Sequence, residues 1–268
     1  MDSGAPYDSP YIKTPFLDNV DLSPGSLRIA ATAVPFLPSN VDEDCIKAFH
    51  DTVDLLQKLG HTVVEKTPPI DGKAFAKAFV VMSCASNCAD FAEEEAYFGK
   101  KAKFSDFEPS TWALKLLGEQ FTAFELESSL RLLKGAHRSI AHFFEDENID
   151  VLLTPTLAMP PVKKGELQPS GLDAFLLNIL GRLNAGKLFK PFVDALAEEF
   201  FSFIPWPPLF NATGQPAMSV PLQWNNAGLP IGMHFAGKYG DEATLFRLAA
   251  QLENEQPWRD RLPPICKT

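Results

Sequence analysis

Apolar positions change their period several times along the chain, and each change marks an element. Residues 27–34 form an apolar run of strand length. Residues 42–59 then place Cys45, Ala48, Phe49, Leu55, Leu56 and Leu59 on one side of a helix, with Asn40 to cap its start and Gly60 to end it. Residues 61–65 return to strand character. Strand, helix and strand in so short a span predict a right-handed parallel crossover. Residues 72–148 predict interrupted helices at 73–97, 109–118 and 123–147, the last with Leu126, Leu130, Leu133, His137 and Ile140 in register.

The continuous run Asp150-Val151-Leu152-Leu153-Thr154-Pro155-Thr156 predicts a central strand covered on both faces. A loop is expected over 157–170. A helical insert is expected over 171–200, with Leu176, Leu177, Ile179, Leu180, Leu183, Phe189 and Phe192 supplying its apolar face. Residues 210–216 read as a Gly/Pro-punctuated loop. Strands at 217–221 and 231–236 follow, joined through Asn225-Asn226-Ala227-Gly228 as an antiparallel hairpin, and a helix capped by Asp241 closes the pattern. Residues 1–26, with Pro6, Pro10, Pro15 and Pro24, lack either period and read as an extended leader. The fold class is α/β, with a mixed sheet flanked by helices.

Composition narrows the possible functions. A net charge of −10 gives nucleic acid or an anionic membrane no electrostatic reason to bind. No apolar run approaches the ~20 residues of a membrane span, and the amino terminus lacks the basic and apolar segments of a secretory signal. A soluble, cytoplasmic protein is expected. The four cysteines are too few for a disulfide framework. Cys84 and Cys88 are spaced as two thiols on one helix face, with neither a second pair nor a histidine to complete a zinc site. No metal or cofactor is expected.

The chain lacks a glycine-rich phosphate loop, a His-Glu-x-x-His pair and a Gly-x-Ser-x-Gly elbow. His137 and His142 are five apart, well over 100° around a helix, so they do not share a face. Ser3, Ser26 and Ser83 lack the strand-turn context of a nucleophile. Cys84 sits within a helix, away from a terminus that would activate it. The residues alone define a mixed α/β protein of open function.

The stretch Phe210-Asn211-Ala212-Thr213-Gly214-Gln215-Pro216-Ala217-Met218-Ser219-Val220-Pro221, followed by Gly228-Leu229-Pro230-Ile231-Gly232-Met233-His234-Phe235-Ala236-Gly237, resembles the C-terminal end of amidase-signature hydrolases. Leu27-Arg28-Ile29-Ala30, the strand at 150–156 and the ending Pro257-Trp258-Arg259 with Arg261 and Pro263 add to the likeness. Gly4-Ala5-Pro6-Tyr7 with Pro15-Phe16-Leu17 resembles the linker after the signature segment in the bacterial amidase branch.

The resemblance implies an amide hydrolase working through a serine nucleophile, a second serine in a cis peptide and a lysine proton relay. Those residues belong to a Gly/Ser-rich segment, and this sequence contains neither Gly-Ser-Ser nor Ser-Gly-Gly-Ser. No catalytic residue is therefore assigned. Residues 27–268 are expected to form an incomplete amidase-signature domain, the C-terminal half, inactive alone. The other half would be supplied as a separate chain or lost, and the isolated chain would be poorly soluble or self-associating.

In the family, the segment before Asn-x-x-Gly-x-Pro-Ala forms part of the substrate wall. Here it carries Phe203, with Ile204 and Trp206 where relatives acting on amino-acid amides place an acid, which implies a small-molecule substrate that is an apolar or aromatic amide. Two readings of these three residues stand side by side, substrate wall and packed core. Asn211 and Thr213 likewise either bind substrate or order the turn into the next strand. The competing function is a non-catalytic remnant or binding module that holds an apolar ligand or partner on the same wall.

Overall fold

The computed structural model describes residues 14–36, 39–168, 170–262 and 266. The expectations for residues 1–13 and for Pro263 lie outside the described residues. Residues 16–20 depart from the extended leader: they form a short helix, α1 (Phe16–Val20), packed on the last helix of the chain. The contact that favours a helix here is tertiary. Phe16 meets the Phe246 ring at 5.1 Å, and Asn19 accepts from the Arg247 guanidinium at 2.6 Å.

The crossover follows the apolar pattern. β1 (Arg28–Ala31) leads through α2 (Glu43–Lys58) to β2 (Thr62–Glu65), and the two strands pair in parallel, Arg28 opposite Thr62. The cap of α2 is Asp42 rather than Asn40, its carboxylate accepting from the Asp44 N–H at 2.8 Å. An acid there also answers the partial positive charge of the helix start, so the later position wins. Three long helices follow, α3 (Gly72–Phe98), α4 (Pro109–Gly118) and α5 (Ala123–Asp146). A reciprocal cap starts α5: Thr122 Oγ1 accepts from Glu125 N, and the Glu125 carboxylate accepts from Thr122 N.

The chain then enters the sheet as β3 (Val151–Pro155), every residue buried, and leaves for the insert. That insert holds α6 (Gly171–Arg182), short 3-10 turns at Gly186–Leu188 and Lys190–Phe192, and α7 (Val193–Phe203). Lys190 ties it to α5, donating to Glu125 at 3.1 Å and to the Gln120 carbonyl at 3.0 Å. The Lys190 ammonium, with the Thr122 donors, holds the Glu125 carboxyl down at about 2.

A helix, α8 (Pro207–Thr213), occupies much of what the Gly/Pro pattern marked as loop. The prolines lie in its first turn, where a missing N–H costs no helical bond, and Gly214 ends it at φ 82°. β4 (Ala217–Trp224), β5 (Pro230–Gly237) and α9 (Glu242–Glu255) complete the order.

The sheet runs β2-β1-β3-β5-β4, with β3 parallel to β1 and antiparallel to β5. Alternation along β3 explains its unbroken apolar run. Val151 and Leu153 point into a core with Ile29, Phe235, Leu56 and Leu248 under α2 and α9. Leu152 points the other way, into Phe75, Ile140, Phe144, Phe201 and Leu209 from α3, α5, α7 and α8. Each such side chain contributes roughly 1.5–3 kcal/mol on burial, so both helical layers are held to the sheet. Among the described residues no helix is long and apolar enough to cross a membrane.

Candidate functional site

Phe203 closes α7, and Ile204 leaves helical geometry at φ −123°, ψ 61°; both are half-buried. Two bonds fix the segment that follows. Ala158 N donates to the Phe203 carbonyl at 3.1 Å, tying it to the loop after β3. Trp206 Nε1 donates to the Val34 carbonyl at 3.1 Å, tying it to the loop after β1. Trp206 is 0% exposed, so its indole is a wedge inside the protein and not a free wall.

Thr213 is also interior. Its hydroxyl donates back to the Leu209 carbonyl at 2.8 Å, and its own carbonyl accepts from His137 Nδ1. That acceptance requires the proton on Nδ1, which points the histidine at the carbonyl end of α8. Tyr239 packs edge-on against the same ring. Asn211 differs from Thr213: it is exposed on α8 and makes no side-chain hydrogen bond among the described residues. Chain continuity brings Phe203, Ile204 and Trp206 together, whereas Asn211 and Thr213, two apart on α8, point to different sides of it. The five split into half-buried Phe203 and Ile204, exposed Asn211, and interior Trp206 and Thr213.

A second polar group was missed in the sequence. Strand register puts Thr154 opposite His234 and His234 opposite Ser219, a row across three strands on the α5–α8 face. Thr154 Oγ1 donates to the Pro155 carbonyl at 2.9 Å, so its 3.4 Å contact with His234 Nδ1 has the imidazole as donor. Burial pushes the His234 pKa down to about 4, and the ring is neutral at pH 7. Beside it, Thr156 and Ser219 share a hydroxyl hydrogen bond of 2.7 Å over Gly232. A Cβ at Gly232 would come within 2.7 Å of Ser219 Oγ and 2.9 Å of Thr156 Oγ1, so glycine is what lets the two hydroxyls meet. Period-2 alternation marks each residue singly, but only the register shows that they are neighbours.

The arrangement can bind more readily than it can attack. Ser219 bonds a threonine, and Ser202 bonds the Glu199 carbonyl; neither has a base as hydrogen-bond partner. Among the described residues no three His, Cys, Asp or Glu side chains converge as a metal site. Cys84 is buried, and desolvation raises its thiol to about 12, so it is not a nucleophile. From Phe200 to Gly237 the chain carries no Asp, Glu, Lys or Arg. With His234 neutral, the whole segment is uncharged at neutral pH. Of two surface concavities of about 300 and 260 Å³, one lies beside Asp51 and Lys58 with only Gln223 of this segment on its lining, and the other lies between Lys73, Lys77 and Asp194.

Comparison with known proteins gives this geometry a setting. The Amidase family profile matches residues 1–246. Putative amidase AmiB2 of Mycobacterium tuberculosis is 31% identical over 245 residues, covering 90% of this chain and 46% of that protein. The 6-aminohexanoate-cyclic-dimer hydrolase of Paenarthrobacter ureafaciens is 26% identical over 265 residues, covering 98% of this chain and 50% of that protein. The chain thus spans about half the length of these relatives. In three dimensions it superposes on a 6-aminohexanoate cyclic dimer hydrolase with TM-score 0.76 at 24% identity, over 96% of this chain and 51% of the other. A bacterial aryl acylamidase gives 0.70 at 19% identity, over 92% and 47%. Both likenesses are of fold, and they agree with the mixed sheet flanked by helices. On the family match across most of its length, this chain belongs to the Amidase family.

Proposed function

We propose that the chain takes part in hydrolysing a carboxamide to a carboxylate plus ammonia or an amine, and that it supplies the apolar side of the substrate site. The observation that carries the reading is the uncharged stretch from Phe200 to Gly237 with its neutral histidine. A substrate ammonium or carboxylate set against this surface would lose water and gain no counter-charge, a cost of several kcal/mol. An apolar or aromatic acyl or amine group loses nothing there. Half-buried Phe203 and Ile204, with Asn211 as the exposed polar group, are the contacts assigned to substrate; Trp206 and Thr213 hold them in place. The relatives' names, an amidase and a cyclic-dimer hydrolase, support the same class of bond cleavage.

The attacking serine and the lysine relay are taken to lie on a segment outside these 268 residues, in the same polypeptide or in another. The 268 residues alone are then inactive. The buried, unpaired thiols Cys45 and Cys84 favour a cytoplasmic setting.

The second reading, a non-catalytic binding module, draws on one observation: neither Ser202 nor Ser219 bonds a base. The two separate in an assay on an uncharged anilide and on an amino-acid amide, run on the protein as its own cell makes it and on the isolated 268 residues. Turnover of the anilide by the cellular form alone supports the hydrolase. No turnover by either form, with tight binding of the anilide, supports the module. Preference for the amino-acid amide overturns the apolar wall.

A further inference from the structure

One hydroxyl pair stands beside the apolar wall without belonging to it. Thr156 and Ser219 share their 2.7 Å hydrogen bond over Gly232, and neither hydroxyl bonds any other group among the described residues. The two come from opposite sides of β5: Thr156 follows β3, Ser219 lies in β4, and strands two apart are separated by ~10 Å. A side chain on the strand between them would fill that gap. At Gly232 a Cβ would also come within 3.3 Å of Thr156 Cβ, besides crowding both hydroxyl oxygens, so only glycine lets the pair close.

The pair is open to solvent. Ser219 is exposed and Thr156 half-buried, while Val220, next along β4, turns the other way into the core under α2 and α9. Thr156 stands two residues before Ala158, whose N–H holds the Phe203 carbonyl, so no more than about 7 Å of chain separates the pair from the wall assigned to substrate. Two hydroxyls carry two hydrogens, and one is spent between them. Whichever oxygen accepts inside the pair keeps its own hydrogen, and accepting polarises that hydroxyl into a better donor. No Asp, Glu, Lys or Arg from Phe200 to Gly237 competes for it, and His234, opposite Ser219 on β5, is neutral. The matching ligand group is an uncharged acceptor, a carbonyl oxygen. A carboxylate could accept too, but it would give up its hydration for one neutral hydrogen bond.

We propose that the Thr156–Ser219 hydroxyl pair is a binding subsite for a substrate carbonyl oxygen other than the one under attack, so that the favoured substrates are uncharged amides bearing a second amide, ester or ketone group. This rests on the reading of Phe203 and Ile204 as the substrate wall.

The test uses the protein as its own cell makes it and a series of linear keto-acid anilides, with the ketone at successive carbons, each set against the anilide with a methylene there. At the chain length that reaches the pair, kcat/KM is expected to favour the ketone by about 10-fold, the worth of one neutral hydrogen bond. Thr156→Val combined with Ser219→Ala removes both hydroxyls and orphans neither, so the fold is expected to hold and the preference to vanish. Thr156→Ser, which keeps both hydroxyls, is expected to preserve it. Equal rates for every ketone and methylene pair overturn the proposal, and so does a preference that survives the double variant. A carboxylate preferred to the ketone at the same carbon overturns the neutral subsite. If no anilide is hydrolysed, the hydrolase reading fails and affinity for the same compounds decides the subsite: tighter ketone binding that the double variant loses upholds it, and equal binding overturns it.

Discussion

Replacing Trp206 by Ala separates its two possible roles, because the structure gives them different magnitudes. The indole is 0% exposed and has one hydrogen bond, Nε1 to the Val34 carbonyl. A tryptophan removes roughly 150–250 Å² from water, worth about 4–6 kcal/mol at ~25 cal/mol per Å². The hydrogen bond adds only ~1 kcal/mol, since Val34 is 56% exposed and its carbonyl can turn to water. Packing therefore dominates. Trp206→Ala should cost about 3–5 kcal/mol, and Trp206→Phe about 1–3 kcal/mol. In urea unfolding, with a slope of ~3 kcal/mol/M, the alanine variant should move the midpoint down by roughly 1–1.7 M at unchanged slope. If Trp206 instead faced an open substrate groove, the change would stay within ~0.5 kcal/mol. A midpoint within experimental error of wild type would refute the buried-wedge assignment.

His234 provides a pH test. Its folded pKa lies near 4 against an ordinary 6.5, so the unfolded chain binds the extra proton first. Its contribution is intact above about pH 6.5 and is lost as pH falls through 4, by roughly 3 kcal/mol. Urea midpoints at pH 7 and pH 4 should show that extra loss in wild type and not in His234→Gln; equal losses would count against it. Gly118→Ala would put a Cβ 2.2 Å from the Cys84 carbonyl oxygen and 2.6 Å from Cys88 Sγ, wedging α4 off α3. A cost of about 1–3 kcal/mol is expected by thermal unfolding. Gly135→Ala, whose nearest neighbour is an arginine tip at 4.0 Å, should be neutral or stabilising by up to ~1 kcal/mol; similar losses in both would contradict the close-approach argument. Thiol titration of the native protein at pH 8 should modify exposed Cys266 and spare Cys45 and Cys84, both raised to about 12 by burial; rapid native modification of Cys84 would show that α3 opens.

Local patterns were legible wherever one period ran long enough. The helix at Pro109–Gly118 and the buried β3 follow directly from residue spacing. Residues 207–213 misled because prolines and a glycine are the marks of a loop as well as of a helix's first turn and its end. The leader misled differently, since α1 is held by Phe246 and Arg247 from the far end of the chain. The site divided along the same line. Phe203, Ile204 and Asn211 were singled out only through the family resemblance, and whether Trp206 lined a wall or filled a core depended on the Val34 loop, which no local pattern reveals. Thr154, His234 and Ser219 are far apart in sequence and become one row only through strand register.

The most direct measurement is treatment of the pure 268-residue chain with a fluorophosphonate probe, followed by peptide mass spectrometry and an anilide-hydrolysis assay. An uncharged wall without an attacking hydroxyl predicts no labelled serine and no aniline release. Stoichiometric labelling of Ser219 or any other serine, with matching turnover, would contradict it.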